Sequence, residues 1–426
     1  MSRRQIPMVL LLLVSLTLLL ALSKSDRQQA LLFTEDEYPE DMDTLEEFIQ
    51  SYYLLLDSDS YIKEYSFIHP EHNHLTNESP ALTDFYRKLL ELRAGRREQV
   101  VIYQIGDSHI QSGFFCGTAR SALQKYFGNA GRGLIFPHKL AGTNQPDDYQ
   151  ISSSSRFGSI SKPRSLSGYT LEVTNPATLR VKTNSFFQID SKFDQIRVFT
   201  DGNADFSAEP GFLETAREDN RACSSHLLSF ADMKSEAEVK LPGSMQRLYG
   251  LSLERQERGL LYHSMGINGA GFYNMANEQQ FFQQIGILEP DLIIISLGTN
   301  DAQGRYRDDV MKANLKLFMK NLQAANPNSA ILFTLPPDSY KGGKPNTAIS
   351  SVEASIREYA AQHDLAWWEL RSVMGGAGSI NTWRQSKMAA RDLLHYTPKG
   401  YMLQGHLFYQ SLVKGYKAYS ENGESR

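Results

Sequence analysis

Val100-Val101-Ile102-Tyr103-Gln104-Ile105-Gly106-Asp107-Ser108-His109 decides how the rest of the chain is read. Five of its first six residues are apolar or aromatic, four of them β-branched, as in a strand buried on both faces. The run ends in a tight Gly-Asp-Ser-His turn. Beyond the turn, Phe115, Ala119, Ala122, Leu123 and Tyr126 keep helical spacing, so a helix is expected to follow at once. A strand, a sharp turn and a helix lift the Ser108 hydroxyl to the carboxyl edge of a sheet, where open α/β folds place their ligands. A hydroxyl in that position needs a base, a group to orient the base, and donors for developing negative charge.

Working outward, the α/β texture resumes far downstream. Strands are expected at Gly259 to Met265, Asp291 to Leu297, Ala330 to Thr334 and Leu365 to Trp368. Helices are expected near Asp309 to Ala325, Ser351 to Gln362 and Pro398 to Tyr419. Strands alternating with helices imply a mainly parallel sheet covered on both faces, hence three layers. Between the two α/β parts the pattern changes to short alternating runs bounded by turns such as Asp201-Gly202-Asn203 and Pro242-Gly243. That pattern argues for a β-sandwich-like insertion. The expected division is 82–128 and 262–420 for the α/β domain, with 129–261 inserted.

The N-terminus has its own character. Arg3 and Arg4 precede an apolar run from Met8 to Leu22, and Ala21-Leu22-Ser23 supplies small residues around a cleavage point. Residues 1–23 therefore read as an export signal, with an uncleaved anchor as the alternative. Residues 24–81 read as an acidic N-terminal extension, since Gln28 to Ile62 contains no Lys or Arg. Within it Leu45, Phe48, Ile49, Tyr52 and Leu56 keep helical spacing, so a solvated linker with one short docking helix is expected. The expected location is the periplasm or the cell envelope. The chain has 426 residues and a net charge of −4, which gives no electrostatic reason to expect nucleic acid as a partner. Two cysteines, Cys116 and Cys223, are too few for a disulfide framework or a metal site. They are expected as small buried residues, with a single bridge as the alternative.

Three glycine-containing turns each follow an expected strand: Gly106-Asp107-Ser108, Gly266-Ile267-Asn268-Gly269-Ala270-Gly271 and Gly298-Thr299-Asn300-Asp301. In a parallel sheet all three emerge at one edge. The middle turn lacks the Gly-x-Gly-x-x-Gly spacing of a dinucleotide loop, and no cofactor is expected. The fourth element, Asp392-Leu393-Leu394-His395-Tyr396-Thr397-Pro398, ends at a helix start with Thr397 as cap and Pro398 at the first helical position. Three residues apart, Asp392 can accept a hydrogen bond from one imidazole nitrogen of His395 while the other faces a nucleophile. No set of side chains near these blocks calls for a metal.

These four blocks, in this order, resemble the SGNH (GDSL-like) hydrolases, whose fold is flavodoxin-like. The resemblance implies Ser108 as nucleophile, His395 as general base and Asp392 as the residue orienting it. It implies an oxyanion hole made by the Ser108 and Gly269 backbone N–H groups and the Asn300 amide. His109 stands where the family signature has leucine and is read as structural. The export signal and the β-rich insertion resemble bacterial peptidoglycan and carbohydrate O-acetylesterases. The implied activity is a serine carboxylic-ester hydrolase removing O-acetyl groups from a cell-envelope or environmental polysaccharide through an acyl-enzyme. Its expected partner is an acetylated glycan, with membrane contact only through the anchor. The insertion is a candidate carbohydrate-binding module, although its Phe186, Phe187, Phe193, Phe199, Phe206, Phe212 and Tyr249 also suit a packed core. An acyltransferase of the same superfamily and a non-catalytic glycan-binding envelope protein are the rival readings.

Overall fold

A computed structural model describes residue 50, residues 52–56 and residues 59–424, apart from 156, 158–159, 162–163, 174, 203–205, 210–211, 220–221 and 244–245. The expected export signal and most of the acidic stretch lie outside the described residues.

Among the described residues, six strands form one sheet. In chain order they are β1 (Leu75–Thr76), β2 (Gln99–Gly106), β3 (Gly259–Gly266), β4 (Leu292–Ser296), β5 (Ala330–Thr334) and β6 (Ala366–Trp368). Their order across the sheet is β1-β6-β5-β4-β2-β3. All neighbours are parallel except β1, which pairs antiparallel with β6. Period-2 alternation along β2 splits the core in two. Val100 and Ile102 join one cluster, with Phe85, Leu123 and Leu407 from helices on that side. Tyr103 and Ile105 join the other, with Phe282, Phe318 and Val352. The result is a three-layer α/β domain whose central strand is shielded from water on both faces.

The chain leaves this domain after the helix Phe114–Phe127 and builds antiparallel sheets before returning. One sheet is organised around Phe193–Thr200, flanked by Ser224–Lys234 and Arg247–Glu254. The other is organised around Ala177–Thr183, flanked by Tyr149–Ser153 and Glu236–Leu241. Their apolar faces share a separate core that includes Ile151, Val181, Ile196, Val198 and Val239. Phe187, Phe193, Phe199, Phe206 and Tyr249 are all buried, so these rings are packing residues rather than exposed sugar platforms. The insertion docks on the α/β domain through a buried ion triad. Arg120 Nη2 donates to Asp148 Oδ2 at 2.6 Å, and Arg132 donates to both Asp148 oxygens at 3.0 Å.

Two boundaries differ from expectation. The insertion does not run to 261, because Gly259, Leu260 and Leu261 pair with Gln99, Val100 and Val101 as the start of β3. The apolar run beginning at Gly259 had marked this strand, and parallel pairing draws all of it into the sheet. The described residues before 82 are also part of the α/β domain rather than a separate extension. Tyr52, Leu56, Tyr61 and Tyr65 are buried in the α/β core, the Tyr61 hydroxyl donates to Gln410 Oε1 at 2.7 Å, and β1 adds an edge strand. The aromatic residues of this segment, not its acidic ones, decide where it lies. Cys116 and Cys223 are buried and unbridged.

Candidate active site

Register explains how the site assembles. Gly106 on β2 is level with Gly266 on β3 and with Ser296 on β4. The turns carrying Ser108, Gly269 and Asn300 therefore leave the sheet side by side. Glycine is needed at 266 because the backbone after Ser108 folds back over it: a Cβ there would sit 2.1 Å from the Gln111 nitrogen. Ser108 opens a single helical turn, α1 (Ser108–Gln111), which breaks at Ser112 and Gly113 before α2 (Phe114–Phe127). The helix expected directly after the serine is thus split, because Gly113 takes a left-handed φ of 84° and redirects the chain.

Ser108 Oγ lies 3.0 Å from His395 Nε2, and His395 Nδ1 lies 2.7 Å from Asp392 Oδ2. The other Asp392 oxygen accepts the backbone N–H groups of Leu394 and His395, each at 3.0 Å. Leu393 adopts a left-handed φ of 52°, which curls the loop so that one carboxylate meets two amides and the ring of the same segment. Burial opposes charge on Asp392, but the hydrogen bond and charge of His395 and the two amides outweigh it and bring the carboxyl down to about 2. It is therefore an anion throughout the neutral range. Helix α3 (Pro398–Glu424) starts directly behind the loop, with Gly400 N–H donating to Thr397 Oγ1 at 3.4 Å.

On the other side of Ser108 stands the glycine turn. Gly269 has a φ of 76°, and nothing lies within 4 Å of the place a Cβ would take. Backbone conformation, not crowding, asks for glycine here, and the space in front of it is open. Its carbonyl accepts from the Tyr273 hydroxyl at 3.0 Å and from Asn274 Nδ2 at 2.9 Å. Asn300 Nδ2 donates to the Ala270 carbonyl at 2.9 Å, and its remaining contact, with Asp107 Oδ2, is long at 3.4 Å. Gly269 and Asn300 are thus joined through Ala270, and Asn300 reaches the serine turn through Asp107.

Three polar residues not singled out from the sequence hold these pieces in place. Asp301 accepts the N–H groups of Phe272 at 3.1 Å and Tyr273 at 3.3 Å, pinning the glycine turn to the asparagine turn. Burial raises its carboxyl to about 6. Asp107 accepts the His109 N–H at 2.9 Å, and burial pushes its carboxyl up to about 7. Gln111 is the widest link. Its Oε1 accepts from Asn268 N–H at 2.8 Å and from the Tyr169 hydroxyl at 3.2 Å, while its Nε2 donates to Thr143 Oγ1 at 2.7 Å. The insertion thereby touches the residue next to Gly269. The available signal was position: Gln111 lies one helical turn beyond Ser108, and Asp301 directly follows Asn300.

His109 is buried against the base rather than facing the serine. Its ring centre is 5.5 Å from that of His395, and its Nδ1 shares a 2.9 Å hydrogen bond with the Tyr401 hydroxyl. Burial, helped by His395, pushes it down to about 3, so it is a neutral ring at physiological pH. Among the described residues, one group could ligate a metal: His69, Glu71 and His72, whose ligating atoms lie within 4.8 Å of one another. They sit on the surface turn before β1, outside the Ser108 site.

Residues 237–403 match the GDSL-like Lipase/Acylhydrolase family model. The match takes in Gly269, Asn300, Asp392 and His395; Ser108 precedes it, on the far side of the insertion. No curated protein matches the chain. Among solved structures, a peptidoglycan O-acetylesterase superposes with a TM-score of 0.65 at 22% identity, covering 81% of this chain and 99% of that one. A lipase/acylhydrolase from Enterococcus faecalis matches with a TM-score of 0.30 at 20% identity, over 37% of this chain and 77% of its own. A carbohydrate esterase family 3 protein from Talaromyces cellulolyticus matches with a TM-score of 0.29 at 19% identity, over 37% of this chain and 72% of its own. The first of these shares the fold over most of the chain.

Proposed function

We propose, for a chain that by fold and family signature is of the SGNH (GDSL-like) hydrolase superfamily, that it is an exported serine esterase removing O-acetyl groups from a polysaccharide. The observation that carries this is the hydrogen-bonded series Ser108, His395, Asp392 standing beside the open face of Gly269. In this reading the Ser108 hydroxyl gives its proton to His395 Nε2 as Oγ attacks the acetyl carbonyl carbon. The carbonyl oxygen becomes an oxyanion facing the backbone N–H groups of Ser108 and Gly269 and the Asn300 amide. Asn300 keeps one N–H on the Ala270 carbonyl, and its other hydrogen has only the long Asp107 contact to give up. His395 then passes the proton to the leaving sugar oxygen, which frees the alcohol and leaves acetyl on Ser108. A water molecule, deprotonated by His395, releases acetate in the second half. Asp392 stays ionised and stabilises the imidazolium.

An acetylated glycan as substrate is supported by the extent of the structural match to a peptidoglycan O-acetylesterase and by the signal-like N-terminus. No helix among the described residues is long and apolar enough to cross a membrane. Placement of Asp392 and His395 on one loop favours hydrolysis over transfer to a second sugar. The test is acetate release from acetylated peptidoglycan, acetylated xylan and p-nitrophenyl acetate by the full chain and by Ser108→Ala. The variant should lose at least about a thousandfold in rate while keeping its circular dichroism spectrum. Release by Ser108→Ala at the wild-type rate ends the serine-esterase reading.

A further inference from the structure

An acetyl group presents only a methyl beyond its carbonyl, so a site that merely cleaves it needs little room on the acyl side. A cleft adjoining these residues is far bigger. It encloses about 360 Å³ and is lined by Asn300, Asp301, Tyr273, Arg305, Tyr306 and Asn314, among others. That is the size range of a site for a sugar-sized ligand. It is joined to the reacting centre through two of its own walls. Asn300 is the proposed oxyanion donor, and the Tyr273 hydroxyl holds the Gly269 carbonyl. Tyr273 is 52% exposed, an unusual state for a large ring. Such a ring and a second tyrosine in one cleft offer faces on which a pyranose can stack.

Charge narrows the ligand further. Arg307 is occupied by Asp309, with Nε to Oδ1 at 3.2 Å and Nη2 to Oδ2 at 2.6 Å. The Asp301 carboxylate is turned to two backbone N–H groups. Tyr306 gives its hydroxyl to Asp308 at 3.0 Å. Arg305 is exposed and, among the described residues, has no ion-pair partner. The segment that carries it is held at its base. Gly304 N–H donates to the Asn300 carbonyl at 3.2 Å, and Lys341 Nζ donates to the Ala302 carbonyl at 3.3 Å. One uncompensated guanidinium is a planar fork suited to one carboxylate. A phosphate, with its larger charge, would meet the repulsion of Asp301 without a second free cation to offset it.

We propose that this cleft is a specificity subsite for a carboxylate-bearing glycan, with Arg305 taking the carboxylate and Tyr273 and Tyr306 flanking the sugar. The proposal rests on the esterase reading and deepens it: the favoured substrates are acetylated polysaccharides that carry acid groups. Two sources supply that chemistry, acids on peptide substituents and acids on the sugars themselves. The subsite bears on affinity, not on the reacting atoms.

The test uses the full chain with acetylated peptidoglycan fragments and acetylated glucuronoxylan oligosaccharides, each before and after conversion of carboxyls to amides. p-Nitrophenyl acetate serves as the ester without a glycan. Arg305→Gln should raise KM about tenfold on the native glycans with kcat unchanged, the size of a charge-assisted hydrogen bond at an accessible site. It should have no effect beyond twofold on the amidated glycans or on the small ester. Arg305→Lys should recover part of the loss. The glycan whose KM rises more on amidation identifies the source of the carboxylate. Equal KM values for native and amidated glycans with wild-type enzyme overturn the subsite, as does an Arg305→Gln effect of the same size on every substrate. If the wild-type chain releases acetate from neither glycan, the esterase reading fails and the subsite with it. Release that is indifferent to Arg305 sinks the subsite alone.

Discussion

Replacing Asp392 by Asn should damage the enzyme more than replacing it by Ala, and the reason lies in how the carboxylate is held. Its Oδ1 receives two backbone N–H groups at 3.0 Å, and its Oδ2 receives His395 Nδ1 at 2.7 Å. An asparagine has one oxygen, and the two amides of the curled loop will claim it. Its NH2 is then aimed at His395 Nδ1, which must present a lone pair. The ring proton moves to Nε2 and points at Ser108 Oγ, so the base can no longer accept the serine proton. A wrong tautomer of this kind costs about 10⁴ in kcat in the serine-protease precedent, close to 5.5 kcal/mol. In Asp392→Ala the carboxylate is gone, but water can replace it and the ring can take either tautomer. That variant should lose less than the Asn variant, retaining the oxyanion donors and part of the base function. The assay is steady-state hydrolysis of p-nitrophenyl acetate at pH 7 to 8, with folding checked by thermal melting. Since the side chain is 23% exposed, neither change should unfold the domain. An Asn variant within tenfold of wild type, or one faster than the Ala variant, would refute this account of the loop.

Other expectations follow from the buried polar groups. Gln111→Leu strips the Asn268 N–H and Thr143 of their partner, which should cost about 1–3 kcal/mol in urea unfolding and lower kcat with KM nearly constant. An unchanged kcat would show that the oxyanion turn is held without it. Asp148→Ala leaves Arg120 and Arg132 buried without a counter-ion and should destabilise the protein by about 3–5 kcal/mol. A loss under 1 kcal/mol would mean the insertion docks by its apolar contacts alone. Burial raises Asp107 to about 7, so the stability tied to its neutral form is complete below about pH 4 and is lost as pH rises through 7. The unfolding free energy of wild type minus that of Asp107→Asn should therefore fall by up to about 4 kcal/mol between pH 4 and 8. A flat difference across that range contradicts it.

Local pattern was enough for a good deal of this molecule. An apolar run ending at Gly106, and four more apolar runs downstream, specify buried parallel strands, because strands covered on both faces cannot be polar on either. The change to short alternating runs marks the antiparallel insertion for the complementary reason, one face dry and one wet. Asp392, three residues before His395, could be paired with it from spacing alone, since both lie on one short loop. What spacing could not supply was anything that depends on register or on contact between distant segments. Ser108 and His395 are 287 positions apart, and their approach depends on how far each turn extends beyond the sheet. The level alignment of Gly106, Gly266 and Ser296 sets that, and it is a property of three strands together. The same holds for Gln111, whose partners Thr143, Tyr169 and Asn268 come from three remote segments, and for Asp301, whose backbone donors Phe272 and Tyr273 lie just beyond the preceding turn. A buried polar residue reveals itself only through the partners that make its burial tolerable, and those partners are chosen by packing. The N-terminal segment makes the point from the other side: helical spacing marks Tyr52 and Leu56 as a docking face, and only the core they enter shows where that face docks.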